Sequence, residues 1–293
     1  MPVINGPANR ADTSRPGNTG QVGASERASS GAAADLIPLP PRILSKMKRR
    51  PATTAVLLAA GIGSRLQAVS QGLPKCLTEV AGTPILGRLL SGLVEQGFKR
   101  LVVVVGYESD QVRDYLEAAD TGLDIQCIYN PRYATANNIY SLWLVKEHVQ
   151  EPFVLIESDL VVDSGLLGLM RVSNRIALAR FRPEMNGTTV SIYDSGLVES
   201  FSVGGFGKPH LPYKTVNMYS LSPQVWREAW RRLDQRVSAG LVDDYYEIVF
   251  ADMADDGLLP LRAVRFDHGR WSEIDTPDDL LVAEHQLSVP ASL

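Results

Sequence analysis

Ala55-Val56-Leu57-Leu58-Ala59-Ala60-Gly61-Ile62-Gly63-Ser64-Arg65-Leu66, with Pro74-Lys75 following a short polar loop, is the stretch whose reading decides the fold. The apolar run reads as a buried strand, and it delivers the chain straight into two glycines. Without Cβ atoms, glycines let backbone N–H groups approach an anion closely, while Arg65 and Lys75 supply positive charge. The segment therefore predicts a phosphate cradle at a strand end. Other phosphate loops fit less well: there is no G-x-x-x-x-G-K-[ST], and Leu66 stands where G-x-G-x-x-G needs its third glycine.

Outward from this strand, apolar runs alternate with helical patterns. Strands are expected at Leu101–Val105, Ile125–Tyr129 and Phe153–Ile156, with helices near 83–97, 109–118 and from about 137. Such alternation predicts an α/β fold with a mainly parallel central sheet and helices on both faces. From about 175 the strands shorten, at Ile176–Phe181, Thr188–Tyr193, Leu197–Val203 and Thr215–Leu221. These predict an antiparallel extension on the acceptor side, followed by helices near 223–238 and 244–254, a strand at Leu261–Phe266 and a helix after Pro277.

The chain has 293 residues, 45% hydrophobic and 21% charged, with net charge −4. Residues 1–50 hold eight of the 29 Lys/Arg and three of the 33 Asp/Glu, which leaves 21 basic and 30 acidic residues, a net −9, in 51–293. An acidic body is a poor sequence-independent nucleic-acid binder. Two cysteines, Cys76 and Cys127, make neither a disulfide scaffold nor a zinc cluster, so a reducing, cytoplasmic compartment is expected. No apolar run is long enough to span a bilayer, and the N-terminus lacks the apolar core of a signal peptide. Residues 1–34, rich in Gly, Ala, Ser, Asn and Arg and free of aromatics, are expected to be disordered. The stretch 35–50 reads as a linker or a docking segment, and a single domain is expected over 51–293.

Two carboxylates stand at expected strand ends, Asp159 after Phe153-Val154-Leu155-Ile156-Glu157-Ser158 and Asp275 within Trp271-Ser272-Glu273-Ile274-Asp275-Thr276-Pro277. Open α/β sheets bind ligands at the carboxyl ends of their strands. Two aspartates there suit one Mg²⁺ bridging phosphate oxygens, since that ion takes one or two carboxylates together with water and phosphate.

From Leu58 to Lys75 the chain resembles the sugar-phosphate and choline-phosphate nucleotidyltransferases, whose opening signature is L-A-A-G-x-G-[ST]-R followed by P-K; the resemblance extends over about 51–287. It implies a Rossmann-like nucleotidyltransferase fold. In it the backbone at Leu57–Gly61, hence Leu58, Ala59, Ala60 and Gly61, reads the base. Gly63 shapes the loop, Arg65 holds the departing pyrophosphate, and Lys75 holds the reacting phosphates. Asp159 and Asp275 match the metal ligands of the family.

Asn130-Pro131-Arg132-Tyr133-Ala134-Thr135-Ala136-Asn137-Asn138-Ile139-Tyr140-Ser141 resembles the phosphocholine cytidylyltransferase branch and its phosphonate-using relatives. An amide both donates and accepts, so Asn130, Asn137 and Asn138 are candidates to read the cytosine edge of CTP. Asn137 also reads as the cap of the helix that follows, and the two roles are compatible. Tyr140 and Ser141 are candidate substrate residues. Lys214-Thr215-Val216-Asn217-Met218-Tyr219 and Asp244-Tyr245-Tyr246-Glu247 resemble segments of the phosphonate-using relatives, which makes Lys214 and Glu247 candidate acceptor contacts and leaves Lys208 as an alternative to Lys214. Near Glu184–Thr188 there is no tryptophan where the choline-specific branch carries an aromatic, which weakens the case for a quaternary-ammonium cage.

The reaction implied is transfer of CMP from CTP to a small phosphonate, of the 2-aminoethylphosphonate or 2-hydroxyethylphosphonate type, or to phosphocholine, with release of pyrophosphate. A sugar-1-phosphate or inositol-1-phosphate nucleotidyltransferase is the enzymatic alternative, and a nucleotide-sensing regulatory module is the non-enzymatic one. Decay to a sensor should remove Lys75, Asp159 or Asp275, and all three are present. The sequence is compatible with an oligomer.

Overall fold

Every residue of β1 (Thr54–Ala59) is buried, so the strand can only lie inside a sheet covered on both faces. The structure, a computed structural model, describes residues 51–66, 70, 72–204 and 211–288, all within the compact unit Lys48–Leu293. The expectations for residues 1–50 and for Lys208 lie outside the described residues.

After β1 come β2 (Glu79–Val80), β3 (Thr83–Pro84), β4 (Arg100–Val105), β5 (Asp124–Tyr129), β6 (Phe153–Glu157), β7 (Leu160–Val162), β8 (Arg175–Arg180), β9 (Thr189–Ile192), β10 (Val198–Ser202), β11 (Tyr213–Leu221), β12 (Arg262–Arg265) and β13 (Trp271–Glu273). The helices are α1 (Ile85–Glu95), α2 (Ser109–Ala118), α3 (Asn138–Leu144), α4 (Ser164–Met170), α5 (Pro223–Ser238), α6 (Glu247–Asp255) and α7 (Pro277–Ser288). The main sheet runs β10-β9-β11-β6-β1-β4-β5, and β8 links β11 to β12. The block β6-β1-β4-β5 is parallel, and β11 joins β6 antiparallel. The α/β class, the mainly parallel centre and the antiparallel extension agree with the sequence reading.

Alternation along β1 divides the interior. Val56, Leu58 and Ala60 pack with α3, α5 and α6 on one face; Ala55, Leu57 and Ala59 pack with α1, α2 and α4 on the other. Helix α5 begins at a Ser222 cap, whose Oγ accepts from the Val225 N–H, with Pro223 in the first turn. These caps and apolar faces need no ligand.

Two features escaped the sequence reading. The pair β7 and β13, three residues each, lies apart from the main sheet and is antiparallel, with Glu273 opposite Leu160. The Ile274 N–H donates to the Asp159 carbonyl (3.0 Å), which locks the two carboxylate-bearing segments side by side. In β11 the register slips between Thr215 and Tyr219, where Asn217 adopts φ +50°. A bulge of this kind turns a strand's side chains relative to its neighbours, and bulges concentrate beside functional sites.

Candidate active site

The carboxyl ends of β1, β5 and β6 converge with β7, β13 and the bulge of β11 around a cleft of about 570 Å³. It lies where the chain order reverses, β1 being flanked by β4 and β6, which is the place open α/β sheets reserve for ligands.

One end of the cleft is the glycine loop. Gly61, Gly63, Ser64, Arg65 and Lys75 line it. Gly63 has φ +64°, and a Cβ there would stand 3.1 Å from Lys75 Cβ, so the turn needs glycine for both its dihedral and its closeness to the lysine stem. Lys75 Nζ donates to Asp159 Oδ2 (2.6 Å) and Asp275 Oδ1 (2.5 Å), and Arg65 Nη2 reaches Asp275 Oδ2 at 3.0 Å. Burial opposes charge on Lys75, but the two carboxylates together outweigh it and hold the ammonium above its ordinary pKa. Burial likewise opposes charge on Asp275, yet Lys75 beside it keeps the carboxyl below its usual range.

Asp159 and Asp275 therefore point at one spot, already suited to a cation, and Asp159 Oδ1 is buried without a hydrogen-bond partner. Two converging hard oxygen donors with an unused lone-pair site fit Mg²⁺ shared with phosphate oxygens. Among the described residues no cluster of three or more His, Cys, Asp or Glu forms an all-protein metal cage.

Next to this lies an amide-rich wall. Asn130, 1% exposed, donates through Nδ2 to Ser141 Oγ (3.0 Å) and accepts from the Arg132 N–H through Oδ1 (2.8 Å). Asn137 Oδ1 accepts from the Asn138 N–H (2.8 Å) at the start of α3, and its Nδ2 donates to the Asp243 carbonyl (3.3 Å), so it caps the helix and lines the cleft at once. Leu58, Ala60, Asn130, Asn138 and Ser141 line the same wall.

The rest of the cleft is acidic. Glu157, Glu247 and Glu273 line it together with Asn217, Tyr245 and the backbone turn Asn186-Gly187-Thr188. Asn138 ties two elements together there, donating through Nδ2 to Glu157 Oε1 (3.3 Å) and accepting from the Tyr246 N–H (3.0 Å). Glu247 is 5% exposed, and its Oε2 is buried without a partner. Burial pushes its carboxyl up to about 7, and burial together with Asp159 and Glu247 raises Glu157 well above the usual range.

Most of the residues expected from sequence thus meet in one cleft; Lys214 and Tyr140 are placed otherwise, and Ala59, expected to act through its backbone, does not line it with its side chain. Lys214 was expected to touch the acceptor; instead it is buried below the floor, 2% exposed, with Nζ donating to the Thr215 carbonyl (2.7 Å) and paired with Glu273 Oε2 (3.0 Å). Lys214 sits in the regular part of β11, opposite Ala179 and Thr189, whereas Asn217, in the slipped segment beyond it, lines the cleft. Asn217 Nδ2 donates to Glu273 Oε1 (2.9 Å). Tyr140 points off the lining face of α3, against Trp143 (ring centroids 5.3 Å apart) and beneath the Arg132 guanidinium (5.4 Å). Ala59 faces the opposite core, as its alternation with Leu58 and Ala60 demands, so only its backbone is near the cleft. Residues the sequence reading left unassigned are Glu157, Glu273 and Asn217. The first two stand two positions before Asp159 and Asp275, a spacing that puts extended-chain side chains on one face. No sequence signal foretold the bulge.

Residues 55–173 match the model of the MobA-like NTP transferase domain. The chain is 33% identical over 248 residues to the CMP-5'-(3-aminopropyl)phosphonate synthase of Streptomyces rubellomurinus, covering 80% of this chain and 39% of that protein. It is 36% identical over 101 residues to the choline-phosphate cytidylyltransferase of Streptococcus pneumoniae, covering 34% of this chain and 42% of that one. Matches to these two relatives thus span about two-fifths of their length. Among solved structures, the CTP:phosphocholine cytidylyltransferase of Streptococcus pneumoniae superposes with TM-score 0.71 at 22% identity, over 81% of this chain and 100% of that one, and shows the same fold.

Proposed function

We propose that this chain, a nucleotidyltransferase that resembles the phosphonate and phosphocholine cytidylyltransferases, transfers CMP from CTP to a small phosphonate carrying a primary ammonium. One observation carries the acceptor reading: Glu247, buried with an unpartnered oxygen, stands beside Glu157, while Lys214, the lysine buried next to them, is committed to Glu273. A buried carboxylate without its own cation calls for one from the ligand. A primary ammonium donates hydrogen bonds to it; a trimethylammonium has no N–H to give and depends on aromatic faces, which among the described residues lining the cleft are Tyr245 and Tyr133.

In this reading a phosphonate oxygen of the acceptor attacks the α-phosphorus of CTP. The new P–O bond forms as the bond to the β-phosphate oxygen breaks, and pyrophosphate leaves. The nucleophile is anionic near neutral pH, so no side chain has to remove a proton. Catalysis then rests on positioning and charge neutralisation. The Gly61–Gly63 backbone and Lys75 would receive the phosphates, and Arg65 the departing pyrophosphate. Asn130, Asn137 and Asn138 would face the base. Asp159 and Asp275 would hold Mg²⁺, which when bound neutralises phosphate charge and lowers the barrier to displacement. The amide turn at Asn186–Thr188, with Asn217, would receive the acceptor's anionic end.

A screen of the four NTPs against 2-aminoethylphosphonate, 3-aminopropylphosphonate, 2-hydroxyethylphosphonate, phosphocholine, inositol 1-phosphate and glucose 1-phosphate, read by pyrophosphate release, tests the proposal. CTP with an aminoalkylphosphonate is expected to give the highest kcat/KM. A tenfold advantage for phosphocholine would remove the ammonium reading, and a preference for a sugar phosphate with another NTP would remove the cytidylyltransferase reading as well.

A further inference from the structure

We infer that Lys75 is the resting counter-ion of the Asp159–Asp275 pair, so that a divalent ion enters this site by exchange with the Lys75 ammonium, which the incoming nucleotide phosphates then take up. The inference rests on the reading of Asp159 and Asp275 as metal ligands.

The ammonium already occupies the two facing carboxylate oxygens, and on Asp159 only Oδ1 is left without a partner. Lys75 Nζ bridges Asp159 Oδ2 and Asp275 Oδ1 at 2.6 and 2.5 Å, so it fills the point at which an ion shared by the same two carboxylates would sit. An ammonium and a divalent cation a few ångströms apart repel strongly in a partly buried site, and the two cannot share those oxygens. The arrangement is also balanced: two carboxylates face Lys75 and Arg65. A divalent ion arriving alone would leave an excess of positive charge, whereas one arriving with a polyphosphate brings the anion that the displaced ammonium needs. Lysine is suited to the exchange because its charge rides on a flexible stem, and here that stem lies along Gly63 in the phosphate loop. Swinging Nζ from the carboxylates to a phosphate in the same cleft requires side-chain torsions only. Lys75 would thus have two jobs, neutralising the metal ligands in the free protein and the phosphates in the complex, and entry of metal and nucleotide would be coupled.

The test measures metal affinity without nucleotide and without turnover. Mn²⁺ binding to the full chain is followed by the loss of the free-ion electron paramagnetic resonance signal, for the wild type, Lys75→Met, Lys75→Arg and the double variant Lys75→Met/Asp159→Asn. Lys75→Met keeps the stem and removes the charge, and is expected to tighten Mn²⁺ at least tenfold, about 1.4 kcal/mol. Lys75→Arg keeps the charge and should leave the affinity near wild type. Should Lys75→Met fail to fold, Lys75→Gln is read in the same way. Wild-type affinity in the uncharged variant, or equal tightening in Lys75→Arg, overturns the exchange. A gain that survives Asp159→Asn overturns instead the assignment of the metal ligands, so the two failures are told apart.

Discussion

Glu247→Gln separates an ammonium partner from a merely structural acid. Glu247 is nearly fully buried, and its surroundings include Glu157, Glu273, Lys214, Asn138 and the hydroxyls of Tyr219 and Tyr246. Its carboxyl is pushed up to about 7 from an ordinary 4.5. For such an acid the folded state holds a proton that the unfolded state has lost, so stability falls as pH rises from about 4.5 to about 7 and stays lowered above that. At roughly 1.4 kcal/mol per pKa unit the cost is about 3 kcal/mol above neutrality. Glutamine removes it, so the variant is expected to melt several degrees higher than wild type at pH 8 and within a degree or two of it at pH 4.5. Function should move the other way. Losing a buried, charge-assisted contact to an ammonium costs about 2–3 kcal/mol, roughly a 30- to 150-fold rise in KM for an aminoalkylphosphonate. The KM for 2-hydroxyethylphosphonate, which brings no cation, should change little. Because the ionised carboxylate is the binding form, wild-type kcat/KM for the amine should fall as pH drops through about 7, and Glu247→Gln should abolish that limb. Equal losses for the amino and hydroxy acceptors would refute the reasoning.

Replacing Lys75 with Ala should lower kcat by two or more orders of magnitude, about 3 kcal/mol of transition-state stabilisation, as measured by pyrophosphate release. Activity should require Mg²⁺ and vanish in EDTA, and Asp159→Asn and Asp275→Asn should each raise the Mg²⁺ concentration needed for half-maximal rate; full activity in EDTA would contradict the carboxylate reading. Lys214→Ala should leave the partly buried Glu273 without its cation and lower stability in denaturant titration by less than the about 3–5 kcal/mol of a fully buried pair, since cleft water screens the remaining charge. A folded Lys214→Ala protein of wild-type stability, altered only in acceptor KM, would favour a direct contact between Lys214 and the acceptor over a structural role.

What the sequence disclosed, and what it withheld, follows from the range of the interactions involved. The strand running into Gly61 and Gly63, the helix of Ser109–Ala118 and the proline-started helix Pro223–Ser238 are written in local pattern, and they stand within a residue or two of where periodicity puts them. So do the two aspartates, because a carboxylate at the end of an apolar strand is a local signal. That Asp159 and Asp275 come within reach of one lysine depends on β7 and β13, whose three residues each are too few to show a period. Lys214 illustrates the same limit: alternation puts it on the face of Val216 and Met218, but the partner it meets there, Glu273, comes from the distant β13. Tyr140 was misplaced because three- and four-residue helical spacing, which groups Asn138 with Ser141, leaves it on another face.

The charges of the cleft tie these observations together. Among the described residues, five carboxyl groups line it, from Glu157, Asp159, Glu247, Glu273 and Asp275, against the side-chain cations of Arg65 and Lys75 on its surface and Lys214 beneath. A polyphosphate entering so acidic a site would be repelled unless cations came with it. The pairings divide the work by position. At the glycine loop, Asp159 and Asp275 are matched by Lys75 and Arg65, groups that a metal–nucleotide complex can reorganise; below the floor, Glu273 is matched by Lys214. Glu157 and Glu247 have no ion pair among the described residues, and burial favours their protonated forms until a cation arrives. On this reading the protein supplies cations where the substrate is anionic and leaves carboxylates unneutralised where the acceptor is cationic. A CTP-dependent enzyme for a neutral or purely anionic acceptor would gain nothing from burying Glu247, and would carry its destabilising cost at neutral pH for no return.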